Sequence, residues 1–203
     1  MDKNKKELIN WYINFVESRK VYMNYFEEYK TFSSSLLKHS RPLLLEYNTV
    51  FNYERKGNSR EGALTQKDLK QNVGGVHLLV KTIKIRKNID FKLQAHTYFH
   101  ELAHLVCNHN DQERNKTSLS KGQKEYVAET VAQALLWSFC GGITVNELPS
   151  NEKWDQSNYI LGWVRQSVFG KEKIKECKRQ IEFSYNKILT ALLIKQGKLS
   201  EKA

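Results

Sequence analysis

Prolines are nearly missing from this chain: only Pro42 and Pro149 occur, beside ten glycines in 203 residues. So few helix breakers predict a largely helical protein. Cysteine is scarce as well. Cys107, Cys140 and Cys177 are odd in number and widely spaced, which excludes a disulfide framework and any paired-cysteine metal finger. The start, Met-Asp-Lys-Asn-Lys-Lys-Glu, lacks the apolar stretch of a secretory signal. No apolar run nears the roughly 18 residues of a membrane span. The expectation is a reduced, cytoplasmic setting and no membrane partner.

Negative charge is also in short supply. Lys and Arg number 33 against 22 Asp and Glu, a formal net charge of +11. That balance invites a polyanion as partner. The positive residues are densest late in the chain, at Lys171, Lys173, Lys175, Lys178, Arg179, Lys187, Lys195, Lys198 and Lys202. Glu172, Glu176 and Glu182 interrupt them, and neither an arginine cluster nor a helix-turn-helix spacing is present. A nucleic-acid contact and a solvated basic helix face both stay open. With 40% hydrophobic residues the chain can build a core, so a disordered tail is excluded.

Against these absences stands His100-Glu101-Leu102-Ala103-His104. Histidines four apart share one helix face and can grip a single Zn²⁺. The glutamate beside the first can take a proton from an attacking water. Phe91, Leu93, Ala95, Tyr98, Phe99, Leu105 and Val106 give the surrounding helix a wide apolar surface. Asp90 is its expected N-cap and Asn108 or Asn110 its stop. The long metzincin pattern needs a Gly at 107 and a His at 110; Cys107 and Asn110 exclude that class. His109 reads as a surface or capping histidine, and His96 as packing or as support behind the site.

A zinc site also needs a third protein ligand. Residues 124–136 predict a second helix in which Ala128, Val131, Ala132 and Leu135 form an apolar stripe. Glu125 and Glu129 fall on the same side, where two carboxylates require something positive to satisfy them. Glu125 is assigned as ligand and Glu129 as the acceptor of a hydrogen bond from a ligand imidazole, the reverse being the alternative.

Elsewhere, residues 4–30 predict a long aromatic helix, a core face or a base-stacking surface, and 33–50 a helical segment with a boundary at Pro42. Residues 54–62 read as a loop. Asn72 to Gly75 punctuate the chain before strand character at Val76–Val80 and Lys81–Ile85, within which His77 reads as packing. A polar loop spans 110–123, and Gly141-Gly142 ends the second metal helix. A loop at 146–156, helices at 157–169 and 171–196 and a frayed tail complete the chain.

Taken together, His-Glu-Leu-Ala-His, then Glu125-Tyr-Val-Ala-Glu-Thr-Val-Ala-Gln-Ala-Leu-Leu136 and Tyr159-Ile-Leu-Gly-Trp163, resemble the metallopeptidase domain of ArdC-type antirestriction proteins. The ImmA/IrrE-type peptidases are more distant relatives. The resemblance spans roughly residues 75–195. The Met-Pro that usually follows the Leu-Leu pair in the ImmA/IrrE group is Trp137-Ser138 here. The resemblance implies an α+β, predominantly helical, zincin-like core with a small sheet, over 71–203, preceded by a helical extension over 1–70 that is either separate or part of the same domain. It implies a zinc-dependent peptidase acting on a protein or peptide substrate, a specific partner, in mobile-element or antirestriction biology. The ligands would be His100, His104 and Glu125, and the base Glu101. A strand ahead of the metal helix would hold substrate along its edge. Tyr126 and Tyr159 are candidates to stabilise an oxyanion. The rival reading is a DNA-binding or DNA-protecting protein with a structural zinc site.

Overall fold

The shortage of helix breakers is realised as six helices and three strands in a computed structural model that describes residues 2–19, 35–54, 62–69, 78–86, 89–109, 119–140 and 156–194. The order is α1 (Lys3–Glu17), α2 (Ser35–Glu46), β1 (Thr49–Glu54), β2 (Gly62–Leu69), β3 (Leu78–Arg86), α3 (Phe91–Val106), α4 (Lys121–Cys140), α5 (Gln156–Gln166) and α6 (Lys171–Ile194). The fold is α+β and predominantly helical. No helix among the described residues is long and apolar enough to cross a membrane.

α4 is the axis of the structure. Every residue from Tyr126 to Leu136 is buried, so the helix has no solvent face over that stretch, only neighbours. α3, α6, α5 and α1 surround it. Small side chains at Ala128, Ala132 and Ala134 permit close helix–helix approach. One apolar cluster runs from Leu8 and Phe15 of α1 through Tyr98, Phe99 and Leu102 of α3 to Ile181, Tyr185 and Ile188 of α6.

The sheet has the order β1-β3-β2, with β1 parallel and β2 antiparallel to β3. Lys81, Ile83 and Ile85 of β3 are buried while Thr82 and Lys84 are partly exposed, the alternation of a half-buried strand. The two strand signals before the metal helix merge into this one element. It is the central strand and offers no free edge, because β1 and β2 engage its backbone on both sides. The expected substrate-pairing role of that strand is thereby corrected. The boundary drawn at residue 70 also falls inside the sheet: β1 and β2 lie before it and pair with β3 after it. The first 70 residues contribute strands as well as helices.

Other boundaries shift for local reasons. α1 stops at Glu17, short of residue 30, where Ser18 caps it with its N–H on the Asn14 carbonyl; residues 20–34 lie outside the described part. α2 runs through Pro42 instead of ending there. An interior proline costs about 3 kcal/mol of helix propensity, but Pro42 faces solvent while Leu36, Ser40, Leu43 and Leu44 are buried, and their packing holds the helix together. His77, residues 55–61, 110–118 and 141–155, and the tail after 194 also lie outside the described residues.

α2 and α3 both end on an asparagine with positive φ, 49° at Asn48 and 53° at Asn108. In α3 the Asn108 N–H bonds the Leu105 carbonyl at 3.1 Å and the His109 N–H bonds the His104 carbonyl at 3.0 Å. This pair of bonds is a Schellman closure. It turns the chain back so that His109 lies over the last turn of the helix. Asn108→Gly is expected to leave stability within about 0.5 kcal/mol. Asn108→Val, whose branched side chain resists the left-handed region, should lower it by about 1–2 kcal/mol. Denaturant titration of the metal-free protein checks both.

Candidate metal centre

α3 and α4 pack face to face, and their facing turns bring together three groups far apart in sequence. The Nε2 atoms of His100 and His104 are 3.1 Å apart. Glu125 Oε2 lies 3.3 Å from the first and 3.6 Å from the second. His100, His104 and Glu125 are the cluster of metal-ligating type found among the described residues.

This donor set fits a zinc ion. Ligand atoms at 2.0–2.1 Å on a tetrahedron stand about 3.3 Å from one another, close to the separations seen here. Two neutral imidazoles and one carboxylate also form the donor set of hydrolytic zinc sites, which keep a fourth position open. The side chains of Glu125 and His100 retain 19% and 12% exposure, so the cluster is reachable from solvent.

Behind the cluster each histidine is held by its other nitrogen. His100 Nδ1 is 3.2 Å from Glu129 Oε2. Glu129 is fully buried, and its other oxygen takes hydrogen bonds from His96 Nε2 at 3.0 Å and Gln133 Nε2 at 3.1 Å. His104 Nδ1 is 2.9 Å from His109 Nδ1, and His109 Nε2 is 2.8 Å from Gln180 Oε1 on α6. Lys124 of α4 donates to the His109 carbonyl at 3.2 Å, tying the turn after α3 to α4.

Electrostatics follow from this packing. Burial alone would raise the Glu129 carboxyl, but the nearby His96 and His100 outweigh it and hold it down at about 2. Glu125 behaves alike: burial raises it, and hydrogen bonds with His100 and His104 carry it well below the usual carboxylate range. Burial would lower His100, yet its bonds to Glu125 and Glu129 and the charge of Glu101 lift it to about 10. His109 goes the other way. Burial and the adjacent His104 push it down to about 3, so this imidazole is neutral. The hydroxyl of Tyr12 on α1 is raised by burial and, to a lesser degree, by the Glu129 charge.

The structure brings Glu101 next to the cluster on α3, 9% exposed, and among the described residues no hydrogen bond engages its carboxylate. Tyr126 is elsewhere. It is fully buried and its hydroxyl donates to the Leu8 carbonyl at 3.1 Å, so it cannot reach a reacting oxygen at the cluster. The Tyr159 side chain lies outside the described residues. His109, expected at the surface or as a cap, does cap α3 through its backbone, but its side chain is 5% exposed and turned onto His104. Sequence reasoning missed that contact, and it missed Gln180 altogether. The signal for His109 was Asn108, a residue suited to a left-handed turn. Gln180 sits 76 residues beyond His104 in a charged stretch and carries no local signal.

No protein-family model matches this sequence, and comparison with curated proteins and with solved structures finds no match either.

The metal-free protein should therefore carry a proton on His100 at neutral pH. The folded value near 10 stands above the ordinary 6.5. The stability this gives is complete below about pH 6.5 and fades as pH rises toward 10. A metal at Nε2 must displace the proton. Zinc binding near neutral pH is expected to release about one proton, with apparent affinity rising about tenfold per pH unit through the neutral range. Calorimetry in buffers of different ionisation enthalpy measures the release; none would mean a neutral His100 in the metal-free protein.

Proposed function

We propose that this chain is a zinc-dependent peptidase with a zincin-like core. The observation that carries the reading is Glu101, whose carboxylate meets no hydrogen-bond partner among the described residues, on the same helix as two histidines whose Nε2 atoms converge with Glu125 Oε2. A structural zinc site needs four closed ligands and no neighbouring base; among the described residues this arrangement has three and a glutamate beside them.

His100, His104 and Glu125 would hold the zinc, and a zinc ion there would supply Lewis acidity. Glu101 would take a proton from a water as that oxygen adds to the peptide carbonyl carbon. It then hands the proton to the amide nitrogen as the C–N bond breaks, so base and acid are one residue used twice. Glu129 keeps the His100 ring oriented and offsets part of the positive charge at the cluster. The substrate strand would add to β2. That strand lies at a sheet edge among the described residues and rests on α3, whereas β3 is already paired on both sides. The resemblance of residues 100–104, 125–136 and 159–163 to ArdC-type domains supports a specific protein partner in mobile-element or antirestriction biology.

Glu101→Gln is expected to keep one zinc per chain and lose hydrolysis by about 10²–10⁴-fold. His104→Ala and Glu125→Ala should lose the zinc. Metal analysis of the purified proteins and a peptide-library cleavage assay with the wild type test this. Zinc retained by Glu125→Ala would move the third ligand to another residue. Salt-dependent DNA binding that survives Glu101→Gln, with no cleavage by the wild type, would favour the binding-protein reading.

A further inference from the structure

We infer that His109 and Gln180 are positioning residues that fix the tautomer of His104, placing its proton on Nδ1 and leaving the Nε2 lone pair for a metal ion. This rests on the zinc reading of the cluster and names the part of the chain that prepares one ligand for it.

The direction of each hydrogen bond follows from the outside inward. Glu176, on the surface of α6, is held by Arg179 through two bonds of 2.9 and 2.7 Å. A carboxylate so paired only accepts. Gln180 Nε2 donates to Glu176 Oε1 at 2.7 Å, which settles the orientation of the amide and turns Oε1 toward His109. An amide oxygen only accepts, so His109 Nε2 donates across the 2.8 Å contact. Enclosure at 5% exposure, with the Lys124 ammonium on its own carbonyl, disfavours a charged His109 ring; with one proton, on Nε2, its Nδ1 is bare. The 2.9 Å contact between the two Nδ1 atoms then requires the proton to sit on His104. The last consequence is a free Nε2 on His104, 3.1 Å from His100 Nε2 and facing Glu125.

His109 and Gln180 are 5% and 4% exposed, so water does not readily replace either partner. The Schellman turn at Asn108 and the Lys124 bond to the His109 carbonyl hold the middle of this chain of bonds in place. The other ligand is treated differently: His100 is backed by the ionised Glu129, which draws a proton to Nδ1 by charge. His104 obtains the same tautomer from uncharged groups.

Long-range ¹H–¹⁵N correlation spectra of the wild type should show His104 protonated on Nδ1 and His109 on Nε2, with and without zinc. A proton on His104 Nε2, or on His109 Nδ1, overturns the inference without any substitution. Gln180→Met removes the acceptor while keeping an apolar chain of similar length. It is expected to weaken zinc binding by about 10–100-fold, to leave the metal-free melting curve cooperative, and to shift His104 into a mixture of tautomers. Zinc affinity within about twofold of the wild type would overturn the proposal while the metal site stands. A wild type that takes up no zinc overturns the metal reading itself, and the metal-free tautomers then decide separately whether His109 and Gln180 orient His104.

Discussion

Glu129 is an ionised carboxylate sealed within the stretch of α4, Tyr126–Leu136, that has no solvent face, and much of this structure is arranged to make that tolerable. An unpaired buried carboxylate is costly by several kcal/mol. Here three donors converge on it, from His96 and His100 on α3 and from Gln133 one turn along α4. Those contacts set the register between α3 and α4. Once the two helices are locked in that register, Glu125, one turn before Glu129, has no choice but to meet His100 and His104. The candidate metal cluster is thus the solvent-side edge of an electrostatic bond that belongs to the core.

Burial grades steeply along that edge. Glu129 is fully enclosed, while Glu125 keeps part of its side chain exposed. One turn of helix therefore separates a carboxylate suited to holding a ring in place from one suited to binding an ion that arrives from water. Charge is distributed to match. His100, protonated in the metal-free protein, sits between Glu125 and Glu129, so the cluster without a metal holds an ion pair and not an empty polar cavity.

The parts of the fold legible in the sequence were those with local causes. The apolar surface around residues 100–104, the Asp90 cap and the alternation in β3 each follow from neighbours in the chain, and the structure has the cap and the alternation at those residues. The helical span of α6 was legible to within a few residues, because Gly170 precedes it and its apolar positions repeat at helical spacing. What escaped was set by distant partners. β2 was not read as a strand, since Gly62–Leu69 is polar and only its pairing with β3 makes it one. Pro42 looked like a boundary until packing of Leu43 and Leu44 overrode it. In α4 the polar Thr130 and Gln133 carry no sign in the sequence that they, like Glu129, are buried and hydrogen-bonded. At the candidate site, the spacing that brings His100, His104 and Glu125 together is readable and the contacts behind them are not, for the contact between His109 and Gln180 joins elements that nothing in their local sequence connects.

The two left-handed asparagines have a meaning beyond the turns they make. A glycine at Asn48 or Asn108 would adopt the same backbone with less strain, but it would also widen the unfolded ensemble, an entropic penalty of about 0.4–1 kcal/mol per site. In a chain with few glycines, each reversal that leads into a working element is made by a residue that forgoes some of that freedom before folding begins. One such reversal launches β1 and the other aims His109. Rigidity at the metal cluster is in this sense inherited from the denatured state: part of the restriction that orients His104 is already present in the chain before the helices meet.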